Sequence, residues 1–320
     1  MNKFPRPKVV ISKCIEFDCC RYNGDMIHDE FVKKLMVYVD YNPVCAECEI
    51  GLGVPRDPIR VTLVKKEARL VQPSTGLDLT DKMNGFSKEF LDSLKAVDGF
   101  ILKAYSPSCG IKGVKIYPAL EKVSSVGTGA GFFGAAAINK YGWLPVEDEL
   151  RLTNLNIREH FLTKLFLSAS FRDMAKKREM KALVQFQADN KLLLMTYNQL
   201  KMRELGRIVA NHEKLKIDKV LENYGKTLFM AFAKIPSFVS NINVLMHAFG
   251  YFSKELTAKE KAFVLDSFEK FREKKVPLAV PVSVIRSFIV RFDEKYLAGQ
   301  TYFEPYPEDL INMNDTGRGK

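Results

Sequence analysis

Histidine is scarce in this chain, four residues in 320, and none forms an HExxH pair, which argues against a histidine zinc hydrolase. Cysteine is nearly as thin at six, far below the density of a disulfide scaffold, so ligand or catalytic thiols are expected in place of bridges. Long apolar runs are missing too. The longest, from Val126 to Ile138, is rich in Gly and Ala and well short of the ~20 residues a membrane span needs. The first residues, MNKFPRPKVVISKC, contain no apolar h-region followed by a small-residue cleavage site. A cytoplasmic protein without membrane contact is therefore expected.

What is present is unevenly placed. The chain is 47% apolar, enough for full cores, and its length suggests two domains. All six Cys lie between Cys14 and Cys109. Residues 1–150 carry 20 Lys and Arg against 19 Asp and Glu, whereas residues 151–320 carry 29 against 19, so nearly all of the net charge of +11 sits in the second half. Segregated positive charge favours a polyanionic partner such as nucleic acid.

The first half alternates β-rich runs with helical stretches. Lys8–Ser12, Ile59–Val64 and Gly99–Lys103 read as strands; Asp29–Tyr38, Ser87–Ala96 and Gly134–Tyr141 read as helices. This predicts an α/β domain, Rossmann-like and three-layered, over residues 1–152. Past the Pro-containing and acidic segment around Trp143–Asn156 the pattern turns to long amphipathic stretches. An all-α domain is expected over 153–320, with helices at about 157–186, 188–211, 214–234, 237–251, 256–273 and 281–298, and a frayed tail over 312–320.

Three thiols stand just past strands: Ser12-Lys13-Cys14, Pro43-Val44-Cys45-Ala46-Glu47 and Ser106-Pro107-Ser108-Cys109-Gly110. Strand ends are where α/β folds gather their sites. Three converging thiolates are able to hold a 4Fe-4S cluster and leave one iron open as a soft Lewis acid. Spacing alone leaves other readings open. Cys45 and Cys48 form a CxxC that, with Cys19 and Cys20, would make a zinc site, or alone a redox dithiol. The plainest reading treats most of these Cys as small buried hydrophobes.

The run SKC, CCRYNG, NPVCAECEIGLGVPRDPIR, TGLDLT, ILKAYSPSCG and GTGAGFFGAAAI resembles the thiouracil desulfurase family over residues 8–150. The segments LVQFQADNKLLLMTYNQ, NVLMHAFGYF, KKVPLAVPVSVI and YLAGQTYFEPYPEDL resemble the YbgA-like helical domain. The fused pair is similar to desulfurases that remove sulfur from 4-thiouridine in tRNA. The resemblance implies a 4Fe-4S cluster held by three cysteines with one open iron, and Cys14, Cys45 and Cys109 are the matching positions. Cys19, Cys20 and Cys48 fall outside that set, and the family commonly has a non-Cys residue at position 48 and Pro at position 46. Thiolated tRNA is the expected partner, with small thiopyrimidines such as 2-thiouracil as the alternative substrates. A noncatalytic iron–sulfur or zinc protein that binds nucleic acid is the rival of a different class.

Desulfuration needs a sulfur acceptor, an attacking water and proton management. Glu47, matching the acidic residue of the family motif, is the candidate to activate water and shuttle protons, with Ser106 beside it. Glu49 reads as a solvated loop acid. Ser12, Ser108 and Arg56 are the candidate substrate contacts, Arg56 offering a planar fork to a base edge or anion unless it holds an acid of the fold; Arg21 is similar. Gly129-Ala130-Gly131-Phe132-Phe133-Gly134 matches GxGxxG, with Glu147–Glu149 downstream, but lacks the opening βαβ context and reads as a dinucleotide decoy, though a Gly-rich loop at a helix start is able to bind an RNA phosphate. Residues 172–219 hold 12 Lys and Arg against six acids, including Arg172, Lys176, Lys177, Arg178, Lys181, Lys201, Arg203 and Arg207, and are expected to contact an RNA backbone. A thiolated base would then be flipped into the cluster pocket. His247 reads as a core histidine, and Gln300, Tyr302 and Tyr306 are expected either to stack on or bond to nucleotides or, as is common for Pro-aromatic segments, to pack helices together.

Overall fold

The computed structural model describes residues 4–119, 123–311, 313 and 314; most of the expected tail, residues 312 and 315–320, lies outside the described residues. The chain divides into two compact units, Met1–Ala169 with Tyr306–Lys320, and Ser170–Pro305.

In the first unit the elements follow as β1 (Lys8–Ser12), α1 (Glu30–Leu35), β2 (Asp40–Val44), α2 (Ala46–Glu49), β3 (Arg60–Val64), β4 (Glu67–Gln72), β5 (Leu77–Asp78), α3 (Thr80–Ser93), β6 (Gly99–Leu102), β7 (Val114–Tyr117), β8 (Gly127–Gly129), α4 (Phe132–Tyr141), β9 (Val146–Asp148) and α5 (Leu155–Ala175). Among the described residues, β2, β1, β6 and β9 form a parallel sheet in that order, with Ser12 opposite Val44, Ile11 opposite Ile101 and Leu102 opposite Asp148. Val9, Val10 and Ile11 of β1 and all four residues of β6 are buried. A continuous apolar run of this kind marks a strand covered on both faces. The α/β expectation for this half is met.

A second sheet, in the order β5, β4, β3, β7, β8, went unforeseen apart from β3. Its hairpin between β3 and β4 turns at Lys65 and Lys66, both with positive φ (52° and 71°), the backbone a tight hairpin demands even without Gly. The helix expected from Ser87 starts seven residues earlier, at Thr80. A buried cluster joins Val9, Ile11, Cys14 and Ile15 to Phe161, Leu162 and Leu165 of α5 and to Tyr306 and Leu310 near the end of the chain.

The second unit is helical: the end of α5, then α6 (Met180–Asp189), α7 (Lys191–Tyr197), α8 (Gln199–Ala210), α9 (Ile217–Ala231), α10 (Phe238–Gly250), α11 (Ala258–Arg272), α12 (Ala279–Arg291) and α13 (Lys295–Ala298). Two expected long helices are each broken. Arg178 takes a left-handed φ of 51° between α5 and α6, and Asn198 goes extended so that its side chain accepts the Lys201 N–H at 3.0 Å and caps α8. Tyr224 is wholly buried and stacks on Phe171 at 5.7 Å. Gln300, Tyr302 and Tyr306 are buried, and Gln300 ties α7 down through Leu192 N–H at 3.0 Å. His247 is a correction: it sits on the exposed face of α10, outside the apolar core. Among the described residues, no helix is long and apolar enough to cross a membrane.

Candidate active site

Parallel pairing puts the C-terminal ends of β2, β1 and β6 side by side, and each is followed by a thiol. Cys45 is the next residue after β2, Cys14 follows β1 by two residues through a turn closed by Ile15 N–H on Ser12 O at 2.9 Å, and Cys109 lies in the loop after β6. Cys14, Cys45 and Cys109 line one cavity of about 350 Å³, together with Ser12, Glu47, Arg56, Ser106 and Ser108. These eight candidates from the sequence, with Arg21, therefore line one cavity at the C-terminal end of the sheet.

Glu47, in the first turn of α2, is held from both sides. Arg56 donates to Oε2 through Nε at 2.8 Å and Nη2 at 2.7 Å, its fork closing on one oxygen, with side chains only 6% and 12% exposed. The other oxygen, Oε1, accepts from Ser108 Oγ at 2.6 Å and Ser106 Oγ at 3.4 Å. The remaining donors of Arg56 reach Cys20 O and Gly53 O, both at 3.1 Å, and Cys48 Sγ at 3.8 Å. Its fork is thus engaged with the acid and the loop backbone around it. Glu49 is exposed, as expected of a solvated acid, but it closes α2 and is not in a loop.

The Cys109 loop is clamped from two directions. Ser12 Oγ accepts from Lys103 N–H at 2.9 Å, and Glu149, just past β9, accepts from Ala104 N–H at 2.8 Å while pairing with Lys103 Nζ at 2.5 Å. On the other side the first turn of α4 donates into the loop: Phe132 N–H to Pro107 O at 3.1 Å and Gly134 N–H to Ser108 O at 3.0 Å. Helix starts leave such donors without partners, and the loop carbonyls satisfy them. A Cβ at Gly131 would sit 2.6 Å from Ser106 O, and one at Gly134 2.5 Å from Gly110 O. The GxGxxG glycines therefore serve close backbone approach to the Cys109 loop, and the acid after β9 serves that loop as well.

Burial raises the Cys109 thiol to about 12 against hydrogen bonds with Ser12 and Ser108 that favour the thiolate. Its hydrogen bond to Cys14 lifts Cys20 to about 12, Cys45 is raised well above its usual value by Cys20 and by burial, and burial puts Cys48 at about 11. At neutral pH these thiols are protonated unless a cation supplies compensating charge. Soft sulfur donors gathered on one cavity are the donor chemistry of an iron–sulfur group, whose binding would draw off their protons.

Sequence reasoning left Cys20 outside the site, yet it is buried on the cavity lining and hydrogen-bonded to Cys14 and Cys45; Tyr22 and Tyr105 on the same lining were missed as well. The doublet Cys19-Cys20 held the signal for the first, since neighbouring residues point apart: Cys19 is exposed. The four-Cys zinc arrangement does not assemble, and among the described residues no three His, Cys, Asp or Glu side chains are placed to hold a single metal ion. In the second unit Lys176, Lys177, Arg178, Lys181, Arg203 and Arg207 are exposed, Lys176 pairing with Asp173 and Arg178 with Asp218.

Residues 9–149 match the family model described as 2-thiouracil desulfurase, and residues 191–307 match a model described as a protein of unknown function, DUF1722. The uncharacterized protein YbgA of Escherichia coli K12 is 27% identical over 137 residues, 42% of this chain and 80% of YbgA. The uncharacterized protein YbbK of Bacillus subtilis 168 is 29% identical over 110 residues, 32% of this chain and 72% of YbbK. Among solved structures, the 4Fe-4S-dependent thiouracil desulfidase TudS is similar at 26% identity with a TM-score of 0.35, covering 46% of this chain and 93% of that one.

Proposed function

This chain joins a 2-thiouracil desulfurase domain to a DUF1722 domain, and from that premise we propose that it is an iron–sulfur-dependent desulfurase converting 4-thiouridine in tRNA to uridine. The observation that carries the reading is the single cavity where three strand-end thiols face a carboxylate held by Arg56 and Ser108. Cys14, Cys45 and Cys109 would hold the 4Fe-4S cluster, which when bound supplies an open iron as a soft Lewis acid for the substrate sulfur.

The chain's own residues manage water and protons. Arg56 pins one oxygen of Glu47, so the other faces Ser108 and the cavity. Glu47 takes a proton from water as its oxygen bonds to the thiocarbonyl carbon, and the C–S bond pair leaves with sulfur as sulfide. The net change, thiocarbonyl plus water to carbonyl plus hydrogen sulfide, is balanced without oxidant or reductant. Ser106 and Ser108 hold the water or the pyrimidine edge, and Ser12 steadies the Cys109 thiolate. The basic helical half would recruit the RNA backbone, leaving base recognition to the cavity. The description of the matched family as a 2-thiouracil desulfurase favours free thiopyrimidine as the second substrate reading.

The test is anaerobic purification with iron and sulfide analysis, then incubation with thiolated tRNA and with 2-thiouracil, reading thionucleoside or thiobase loss by mass spectrometry. Iron near four per chain and loss of 4-thiouridine are expected. Zinc in place of iron, or sulfur loss from neither substrate, overturns the enzyme; preference for 2-thiouracil overturns the tRNA assignment. A Glu47→Ala protein that keeps its iron should lose ~100-fold or more in kcat, and unchanged turnover removes Glu47 from the proton path.

A further inference from the structure

Tyr105 has no part in the chemistry above, yet it stands on the lining of the same cavity with 64% of its surface exposed. Its φ of 59° lies in the left-handed region, which a bulky side chain occupies only at a cost and which marks turns and functional sites. The ring is backed by Gly113, itself at φ 71°: a Cβ there would come within 2.8 Å of Tyr105 Cε1 and 3.2 Å of Cδ1. Two left-handed positions thus fix an aromatic ring at the rim and leave it largely open to solvent.

A cavity of about 350 Å³ is at the small end of the ~300–1,000 Å³ range of ligand pockets. The proposed cofactor and a pyrimidine ring must share it. A sugar attached to that ring then extends out through the mouth, where Tyr105 is the most exposed aromatic of the lining.

We propose that Tyr105 is a specificity residue whose ring packs against the ribose carried by the entering base, so that the site selects a nucleoside-borne thiopyrimidine over the free base. This rests on the desulfurase reading and adds to it a named contact. Tyrosine suits the role because it offers a rigid amphipathic ring that loses little conformational freedom on binding.

Iron-loaded protein is assayed on 4-thiouridine and on 4-thiouracil, and the dissociation constants of uridine and uracil, which need no turnover, are measured beside them. Tyr105→Ala is expected to lower kcat/KM for 4-thiouridine about tenfold through KM, to weaken uridine binding by the same factor, and to change the two free-base values less than twofold. Tyr105→Phe restores the nucleoside preference. Gly113→Ala, which pushes the ring aside, is expected to reproduce the Tyr105→Ala loss with the tyrosine still present. Equal effects on nucleoside and base, or none on either, overturn the proposal. The desulfurase reading stands or falls on thiolated tRNA and 2-thiouracil; if the wild-type protein turns over neither 4-thiouridine nor 4-thiouracil, the ratio of uridine to uracil binding in wild type and Tyr105→Ala decides the role of Tyr105.

Discussion

Arg56 and Glu47 are nine residues apart, joined by a glycine- and proline-bearing loop, and their pairing makes the acid usable. A buried carboxylate stripped of its cation is left uncompensated, so Arg56→Gln should cost about 3–5 kcal/mol in denaturant unfolding of the iron-free protein. Arg56→Lys keeps the charge and loses the fork; kcat is expected to fall ~10- to 100-fold with a smaller change in KM. Glu47 itself was legible as an acid beside a thiol. That Arg56 could hold an acid of the fold was legible too; which acid was not, because that is set by how the loop folds back. Another buried charge works against the fold. Lys164 of α5, 7% exposed and 3.4 Å from Leu144 O, is lowered by burial to about 8 from an ordinary 10.5. Between those pH values the unfolded chain binds more protons at this site than the folded one, so its contribution to stability rises with pH across the window and is least favourable below pH 8. Lys164→Met should therefore raise stability at pH 7 by roughly 2–3 kcal/mol, and the difference from wild type should shrink as pH climbs from 8 to 10. Thermal unfolding of both proteins at several pH values measures it.

At the scale of elements, the site depends on α4 meeting the Cys109 loop without side chains in between. Gly134→Ala would drive a Cβ to 2.6 Å from Cys109 O, whereas Gly127→Ala in β8 meets nothing within 4 Å. The first is expected to lower iron content per chain and melting temperature together, and the second to leave iron content at the wild-type value; equal iron in both would dissociate α4 from the site. Of the strands that precede the thiols, β1 and β6 were visible as short apolar runs, whereas β2, Asp-Tyr-Asn-Pro-Val, has no apolar run to mark it. The second sheet was mostly invisible: β8 is Gly-Thr-Gly, with no pattern of its own, and exists by pairing with β7. The breaks at Arg178 and Asn198 were hidden for a related reason, since apolar spacing runs across both and a single residue's backbone turn decides the helix end. The GxGxxG run shows the converse, a clear pattern whose glycines answer to packing.

For the whole molecule, charge separates along the chain as plainly as the thiols do. If the second half draws tRNA, its affinity should fall at least tenfold between 50 and 200 mM salt, as counterion release requires for several phosphate contacts. Replacing Lys177, Lys181, Arg203 and Arg207 with Gln should flatten that dependence and raise KM for tRNA while 2-thiouracil turnover stays within about twofold. A salt-insensitive KM would detach these basic residues from the substrate. Tyr306 and Leu310 belong to the buried cluster that contains Cys14 and Ile11, and Tyr38 donates to Asp309 at 2.5 Å. A nascent chain has made the entire helical half before these residues leave the ribosome. The core beneath the first thiol is closed only then, once the whole of the helical half has been synthesised.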